Sequence, residues 1–298
     1  MKNILIIGCG LLGSSLLRQI QKKKIAKKIY IYEKSKSNIL KIKSLKLPGI
    51  IIKKLEDGVK KSDLIILCTP MSEYKDLILK MNKFLSTKNI ITDVGSTKLE
   101  SSKIIKKFLR KDVSWTQSHP IAGSEVSGPE HGKHDIFEKK WCVLIKEKDT
   151  KKKHLLMLRN FWKKIGSNVV VMTPKKHDKI FSITSHLPHL IAYNLVKSAQ
   201  DFEKIQNYDL IKYSAGGLRD FSRIAASNEI MWRDIFFNNK QNISKAIDLF
   251  IKNLNSFKKD INSKNNQSIL KKLIQTKKVR SKIIKLKQDI NRPDFGRD

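Results

Sequence analysis

Cysteine is nearly absent from this chain: there are three, Cys9, Cys68 and Cys142, odd in number, far apart and each set in an apolar run. That excludes a disulfide framework and points to reduced thiols in a cytoplasmic protein. No CxxC pair or Cys/His cluster occurs, so no metal site is expected. No apolar run approaches the length of a bilayer span, and the N-terminal run from Asn3 to Ile7 stops at Gly8 without a small-residue cleavage site. It reads as a strand rather than a signal, and no membrane association is expected. There is no internal repeat.

Carboxylates are also scarce, 27 against 62 lysines and arginines, for a formal charge of +35. A balance this basic is the usual footprint of a nucleic-acid binder. Here, however, the lysines are spread along the chain among Ile and Asn, as at Lys22-Lys23-Lys24, Lys151-Lys152-Lys153 and Lys277-Lys278. No DNA- or RNA-binding signature accompanies them. A chain-wide bias carried on solvated faces explains the charge better, so no nucleic acid is expected as partner, although acidic small molecules would be attracted.

What is present is enough chain, 298 residues at 40% hydrophobic, for two ordinary domains. The first half alternates strands with helices. An apolar strand from Asn3 to Ile7 runs into Gly8-Cys9-Gly10-Leu11-Leu12-Gly13, and helical spacing follows over 14–24. A glycine triplet between a strand and a helix is the dinucleotide turn. Its first Gly makes the bend, the second lets backbone approach a pyrophosphate, the third lets helix pack on strand, and the helix N-terminus faces the phosphates. Gly8, Gly10, Leu11, Leu12 and Gly13 are therefore cofactor candidates. The next strand, Lys28 to Tyr32, ends in Glu33, roughly twenty residues on, where a carboxylate accepts from ribose hydroxyls. Glu33 favours NAD. Lys34, Ser35 and Lys36 keep NADP as the alternative, and a simple turn residue is the plainer reading of Glu33.

Further strands are expected at 50–52, 64–68 and 89–93, which gives a doubly wound parallel sheet. Ligands sit at the carboxyl ends of such strands, where Thr69, Pro70 and Asp93 fall as additional cofactor candidates. Thr97 and Glu100 are spaced as a capping box for the following helix. Ser96, just before it, is either a turn residue or a hydroxyl at the cleft mouth. A strand over 113–117 leads to Ser118-His119-Pro120-Ile121-Ala122-Gly123-Ser124-Glu125, so His119 is expected to emerge at the same sheet edge. Strands over 141–145 and 168–172 flank a helix over 151–165.

After Pro174 the periodicity is helical, which divides the chain into 1–172 and 173–298. A helix over 176–201 carries an apolar stripe of Ile180, Ile183, Leu187, Leu190, Ile191 and Leu195, bent at Pro188. Ser185 and His189 share one of its faces. His186 and His189 lack carboxylate or thiolate neighbours, which argues against zinc. Arg223 is the candidate anchor for a substrate carboxylate, with a helical salt bridge to Asp220 as the plainer reading. Trp232 reads first as core. A last apolar helix over 269–284 precedes a polar end, Arg292-Pro293-Asp294-Phe295-Gly296.

Five motifs in this order resemble the prephenate/arogenate dehydrogenase family of tyrosine biosynthesis: the glycine turn to Leu16, Asp93-Val94-Gly95-Ser96-Thr97-Lys98, His119 to Glu125, Ser185-His186-Leu187-Pro188-His189, and Gly216-Gly217 through Arg223 to Trp232. The resemblance implies a Rossmann-like α/β domain followed by an all-α dimerisation domain, a homodimer, and oxidative decarboxylation of prephenate or arogenate with hydride transfer to NAD(P). It implies that His119 is the catalytic histidine, accepting the ring-hydroxyl proton when neutral, with Ser96 assisting. Arg223 would hold a substrate carboxylate. Ser185, His189, Glu125, Asp220 and Trp232 would line or gate the pocket, and His177-Asp178 matches a further family pair. Ser14 and Leu218 depart mildly from the pattern, and the chain is expected to be monofunctional. The alternatives are a β-hydroxyacid dehydrogenase or imine reductase, or a non-catalytic basic interaction protein on the same scaffold.

Overall fold

The computed structural model describes residues 2–286; Met1 and residues 287–298, with the polar end segment, lie outside the described residues. The chain runs β1 (Asn3–Ile7), α1 (Leu11–Lys22), β2 (Lys28–Tyr32), α2 (Lys36–Ser44), β3 (Ile50–Ile51), α3 (Leu55–Lys61), β4 (Leu64–Leu67), α4 (Tyr74–Met81), β5 (Ile90–Asp93), α5 (Leu99–Phe108) and β6 (Ser114–Trp115). These six strands form one parallel sheet in the order β3-β2-β1-β4-β5-β6. Residues of β1 and β4 are buried on both faces, which is why they read as unbroken apolar runs rather than as alternating ones. The order reverses beside β1, and the cleft at that switch point is where ligands bind in open sheets of this kind.

The next strands do not extend that sheet. β7 (Ser118–Pro120), β8 (Trp141–Ile145) and β9 (Asn168–Met172), with α6 (Lys152–Ile165) between the last two, make a separate three-stranded sheet. β7 is antiparallel to β8, opposing His119 to Val143, and β8 is parallel to β9. His119 thus lies within a strand of a second sheet, not at a strand end of the first. The second sheet is fastened to the first through Ser118, whose hydroxyl donates to the Asp93 carbonyl at 2.5 Å and contacts Thr92 Oγ1 at 3.0 Å.

From residue 174 on, the described chain is helical: α7 (Pro174–Phe181), α8 (Leu187–Gln206), α9 (Gly216–Ala225), α10 (Glu229–Asn238), α11 (Lys240–Asn262) and α12 (Asn266–Lys285). The single helix expected over 176–201 is interrupted by a π-helical segment, Ser182–His186, immediately before Pro188. A proline lacks the N–H that would continue the ladder, and the widened turn absorbs that loss. The apolar stripe is only partly covered, since Ile183 and Leu195 stay 45% and 39% exposed. The helical half is nevertheless anchored on the sheet: Trp232 and Ile235 join the core built from Leu5, Ile65 and Tyr74, and Asp234 accepts from the Ser72 backbone amide at 3.0 Å.

Candidate active site

The glycine turn has the geometry of a phosphate cradle. Gly8 has φ of +86°, a left-handed conformation that favours glycine, and a Cβ on Gly13 would stand 2.1 Å from the Gly8 carbonyl oxygen. A Cβ on Gly10 would meet nothing within 4 Å, so backbone there borders open space. Gly10 caps α1 with no side-chain hydrogen bond, leaving the first-turn amides of Leu11 and Leu12 to face that space. Thr69 Oγ1, at the end of β4, is buried with no partner among the described residues. These features fit a dinucleotide pyrophosphate.

Glu33 holds the adjoining corner. Its carboxylate accepts from the Cys9 amide at 2.7 Å and the Ser35 amide at 2.9 Å, which ties the glycine turn to the loop after β2. Two of the three side chains that favoured a 2′-phosphate are engaged elsewhere: Lys34 pairs with Glu73 at 2.5 Å, and Ser35 Oγ caps α2 through the Asn38 amide. Lys36 stays exposed, and it is the Glu33 carboxylate itself that disfavours the extra phosphate of NADP.

Asp93 closes β5 at the expected strand end. It is fully buried, and its carboxylate receives Lys98 Nζ at 2.5 Å, Tyr74 Oη at 3.0 Å, the Gly95 amide at 3.1 Å and Trp115 Nε1 at 3.2 Å. The side chain thereby braces the cleft floor. Lys98, likewise fully buried, also donates to the Ser118 carbonyl at 2.7 Å, one residue before His119. The Thr97–Glu100 capping box is not formed, because Thr97 Oγ1 turns to Met71 Sδ. In its place Asp178, from α7, accepts from the Lys98 and Leu99 amides at 2.8 and 2.9 Å and so caps α5 from outside.

His119 is 8% exposed, and its Nδ1 lies 2.8 Å from Nε2 of the buried His177. His177 Nδ1 is in turn 2.8 Å from Asp178 Oδ1. Phe181 closes the side of the pair, its ring centroid 5.0 Å from that of His119 and 4.5 Å from that of His177. Burial, and then the nearby His177, Lys98 and His186, hold the His119 pKa well below the ordinary histidine value. Burial likewise pushes His177 down to about 2 and His186 to about 4. The imidazole at the centre of the site is thus neutral at physiological pH.

Ser96 is half-buried, and its backbone sits against His186. His186 Nδ1 is 3.1 Å from Asn239 Nδ2, which also donates to the Asp178 carbonyl at 2.8 Å. His189 stacks on the buried Trp232 with centroids 3.9 Å apart, and its Nδ1 faces the Ser185 carbonyl at 2.9 Å. Arg223 reaches out of the helical half to Glu125 of the His119 loop at 3.1 Å, while Asp220 lies exposed on the same helix as Arg223. The Glu125 carboxyl is held below the usual range by its own backbone amide and by Arg223. His177-Asp178 and Lys98, which the family resemblance matched without assigning them a role, join the cluster, and Asn239 is the member that residue patterns did not single out.

A parallel sheet with a pyrophosphate turn, joined to helices that close over a buried neutral histidine, defines a dinucleotide-dependent dehydrogenase. Residues 16–171 match the family model of the prephenate dehydrogenase nucleotide-binding domain, and residues 173–275 that of the prephenate dehydrogenase dimerization domain. The chain belongs to the prephenate dehydrogenase family. It is 31% identical to a cyclohexadienyl dehydrogenase of Zymomonas mobilis over 94% of this chain and 95% of that one. It is also 31% identical to a prephenate dehydrogenase of Bacillus subtilis, over 90% and 72%. Among solved structures it resembles Aquifex aeolicus prephenate dehydrogenase in complex with hydroxyphenyl propionate and NAD+, with a TM-score of 0.88, 34% identity and coverage of 95% and 98%. These matches set aside the β-hydroxyacid, imine-reductase and non-catalytic readings.

Proposed function

We propose that this chain catalyses the NAD-linked oxidative decarboxylation of prephenate to 4-hydroxyphenylpyruvate. The observation that carries this is a buried, neutral His119 fastened through Ser118 to the end of β5, at the edge where the glycine turn opens. Bound NAD+ accepts hydride from the ring carbon that bears the hydroxyl. His119 Nε2, the nitrogen left free by His177, takes the hydroxyl proton, and loss of the ring carboxylate as CO2 makes the ring aromatic. The phenolate oxygen then recovers the proton from His119, so the residue ends the cycle neutral. Ser96 assists at the cleft mouth. Arg223 holds a substrate carboxylate, and Glu125, its partner in the free protein, gates that exchange. Ser185, His189, Asp220 and Trp232 shape the pocket wall. Arogenate, which would give tyrosine, is the second substrate reading, since the Zymomonas relative carries the broader cyclohexadienyl name.

The division of labour follows the composition break: 1–172 for the nucleotide, 173–298 for substrate and dimerisation. Exposed apolar side chains on the helical half, among them Phe202, Ile205, Tyr213, Phe237 and Leu254, support a homodimer. No helix among the described residues is long and apolar enough to cross a membrane. With three reduced thiols this favours the cytoplasm.

The test is absorbance of the reduced nicotinamide with prephenate and arogenate crossed against NAD and NADP. Prephenate with NAD should be the productive pair, and no reduction with any pair would overturn the proposal. Arg223→Ala should raise the substrate KM by about ten- to a hundredfold, the worth of one charged hydrogen bond, with a smaller change in kcat. An unaltered KM would remove Arg223 from the carboxylate.

A further inference from the structure

The pair behind His119 does more than fill space. Asp178 accepts two backbone amides, those of Lys98 on Oδ1 and Leu99 on Oδ2, at the N-terminus of α5. Burial raises the Asp178 pKa, while the two amides at the helix end act against that rise and hold the carboxylate as an ionised acceptor. Its remaining partner, His177 Nδ1 at 2.8 Å, must therefore be the donor. A neutral imidazole protonated on Nδ1 has only a lone pair on Nε2. His177 Nε2 faces His119 Nδ1 at 2.8 Å, so the proton in that contact belongs to His119. His119 is thereby left with an unprotonated Nε2. The direction of every bond in the row is set from its buried end.

We infer that His177 and Asp178 are positioning residues that lock His119 in its Nδ1–H tautomer and so present the Nε2 lone pair to the substrate hydroxyl; this rests on the proton-acceptor role proposed for His119. The surroundings agree. His177 and Asp178 are fully buried, and Phe181 packs against both imidazoles. Asn239 Nδ2 fixes the Asp178 backbone from α11's N-terminal flank, at 2.8 Å to the carbonyl. The charged and titratable groups around the row are Lys98 and His186, with Lys98 committed to Asp93 and Ser118, so neither supplies a competing acceptor for His119 Nδ1. His177 itself stays neutral, its pKa pushed to about 2 by burial and by Lys98 and His186, and so it orients the base without taking the proton from it. The same logic governs the buried aspartate of serine-protease triads, where the amide replacement reverses the tautomer.

Asp178→Asn can donate its amide to His177 Nδ1, which turns the row around and leaves His119 protonated on Nε2. The expected result is a loss of kcat of about a thousandfold or more at neutral pH, by analogy with the triad, while the KM for NAD changes little. His177→Gln keeps an acceptor opposite His119 Nδ1 and His177→Leu does not, so kcat of the Gln form should exceed that of the Leu form by about tenfold. Because these buried sites also cap α5, the decisive reading uses the unaltered protein: nitrogen NMR of the histidine side chains, at pH 7 with no substrate. Protonation of His119 on Nδ1 supports the inference, and protonation on Nε2 overturns it, as would equal kcat in the Gln and Leu forms. The tautomer is read without turnover, so an inactive protein would sink the proposed reaction and leave this test standing.

Discussion

Replacing His119 with asparagine is expected to lower kcat by about a hundred- to ten-thousandfold, the usual contribution of a positioned general base, with little change in NAD affinity. Asparagine retains an amide donor toward His177 but has no basic nitrogen, so the loss reports on proton acceptance rather than on packing. The pH profile of the unaltered enzyme gives the sign. Only neutral His119 accepts a proton, and its pKa lies well below the ordinary value. Activity should thus stay level from neutral pH through about 6.5, where an ordinary histidine titrates, and fall only at more acid pH. A fall centred on the ordinary value would show that His119 is solvated, and near-normal turnover in the asparagine form would remove it from the chemistry.

The second large effect is on stability. Lys98 and Asp93 form a fully buried pair, and Lys98 Nζ also carries the Ser118 carbonyl next to His119. Lys98→Met leaves the Asp93 carboxylate buried without its counter-charge, which is expected to cost about 3–5 kcal/mol of folding stability. The denaturation midpoint reads it directly. The double variant Lys98→Met, Asp93→Asn removes both charges and should recover a large part of that loss, because the penalty belongs to the stranded carboxylate. If the single variant unfolds at the same midpoint as the unaltered protein, the pair is not holding the cleft floor.

Much of the architecture is legible in the residues because the signals are local. A glycine triplet between an apolar run and a helical stretch carries its own geometry, and the open space at Gly10 and close approach at Gly13 are what those positions require. The parallel sheet over β1 to β6 follows from apolar runs alternating with helices. The second sheet does not, since the pattern around 118, 141 and 168 is the same whether those strands extend the first sheet or pair with one another. Partner choice is a long-range property.

The site divides along the same line. His119, Arg223 and Glu125 stand in motifs whose residue types announce chemistry, and the last two meet across 98 positions of sequence. Lys98 ends one of the motifs, yet in a chain with 62 lysines and arginines only the fold shows that it is buried and what it holds. Asp93 sits where a cofactor ligand would, yet Tyr74, Trp115 and Lys98 take up its oxygens. His177 and Asp178 match a family pair, but nothing in their spacing on an amphipathic helix assigns them a role. Their link to His119 spans 58 positions and appears only when α7 docks against the start of α5.

The most direct measurement of the central claim is the stoichiometry of CO2 released from ring-carboxylate-labelled prephenate against NADH formed. The account predicts one CO2 for each NADH, with both lost together in His119→Asn. NADH without CO2, or no NADH at all, would contradict it.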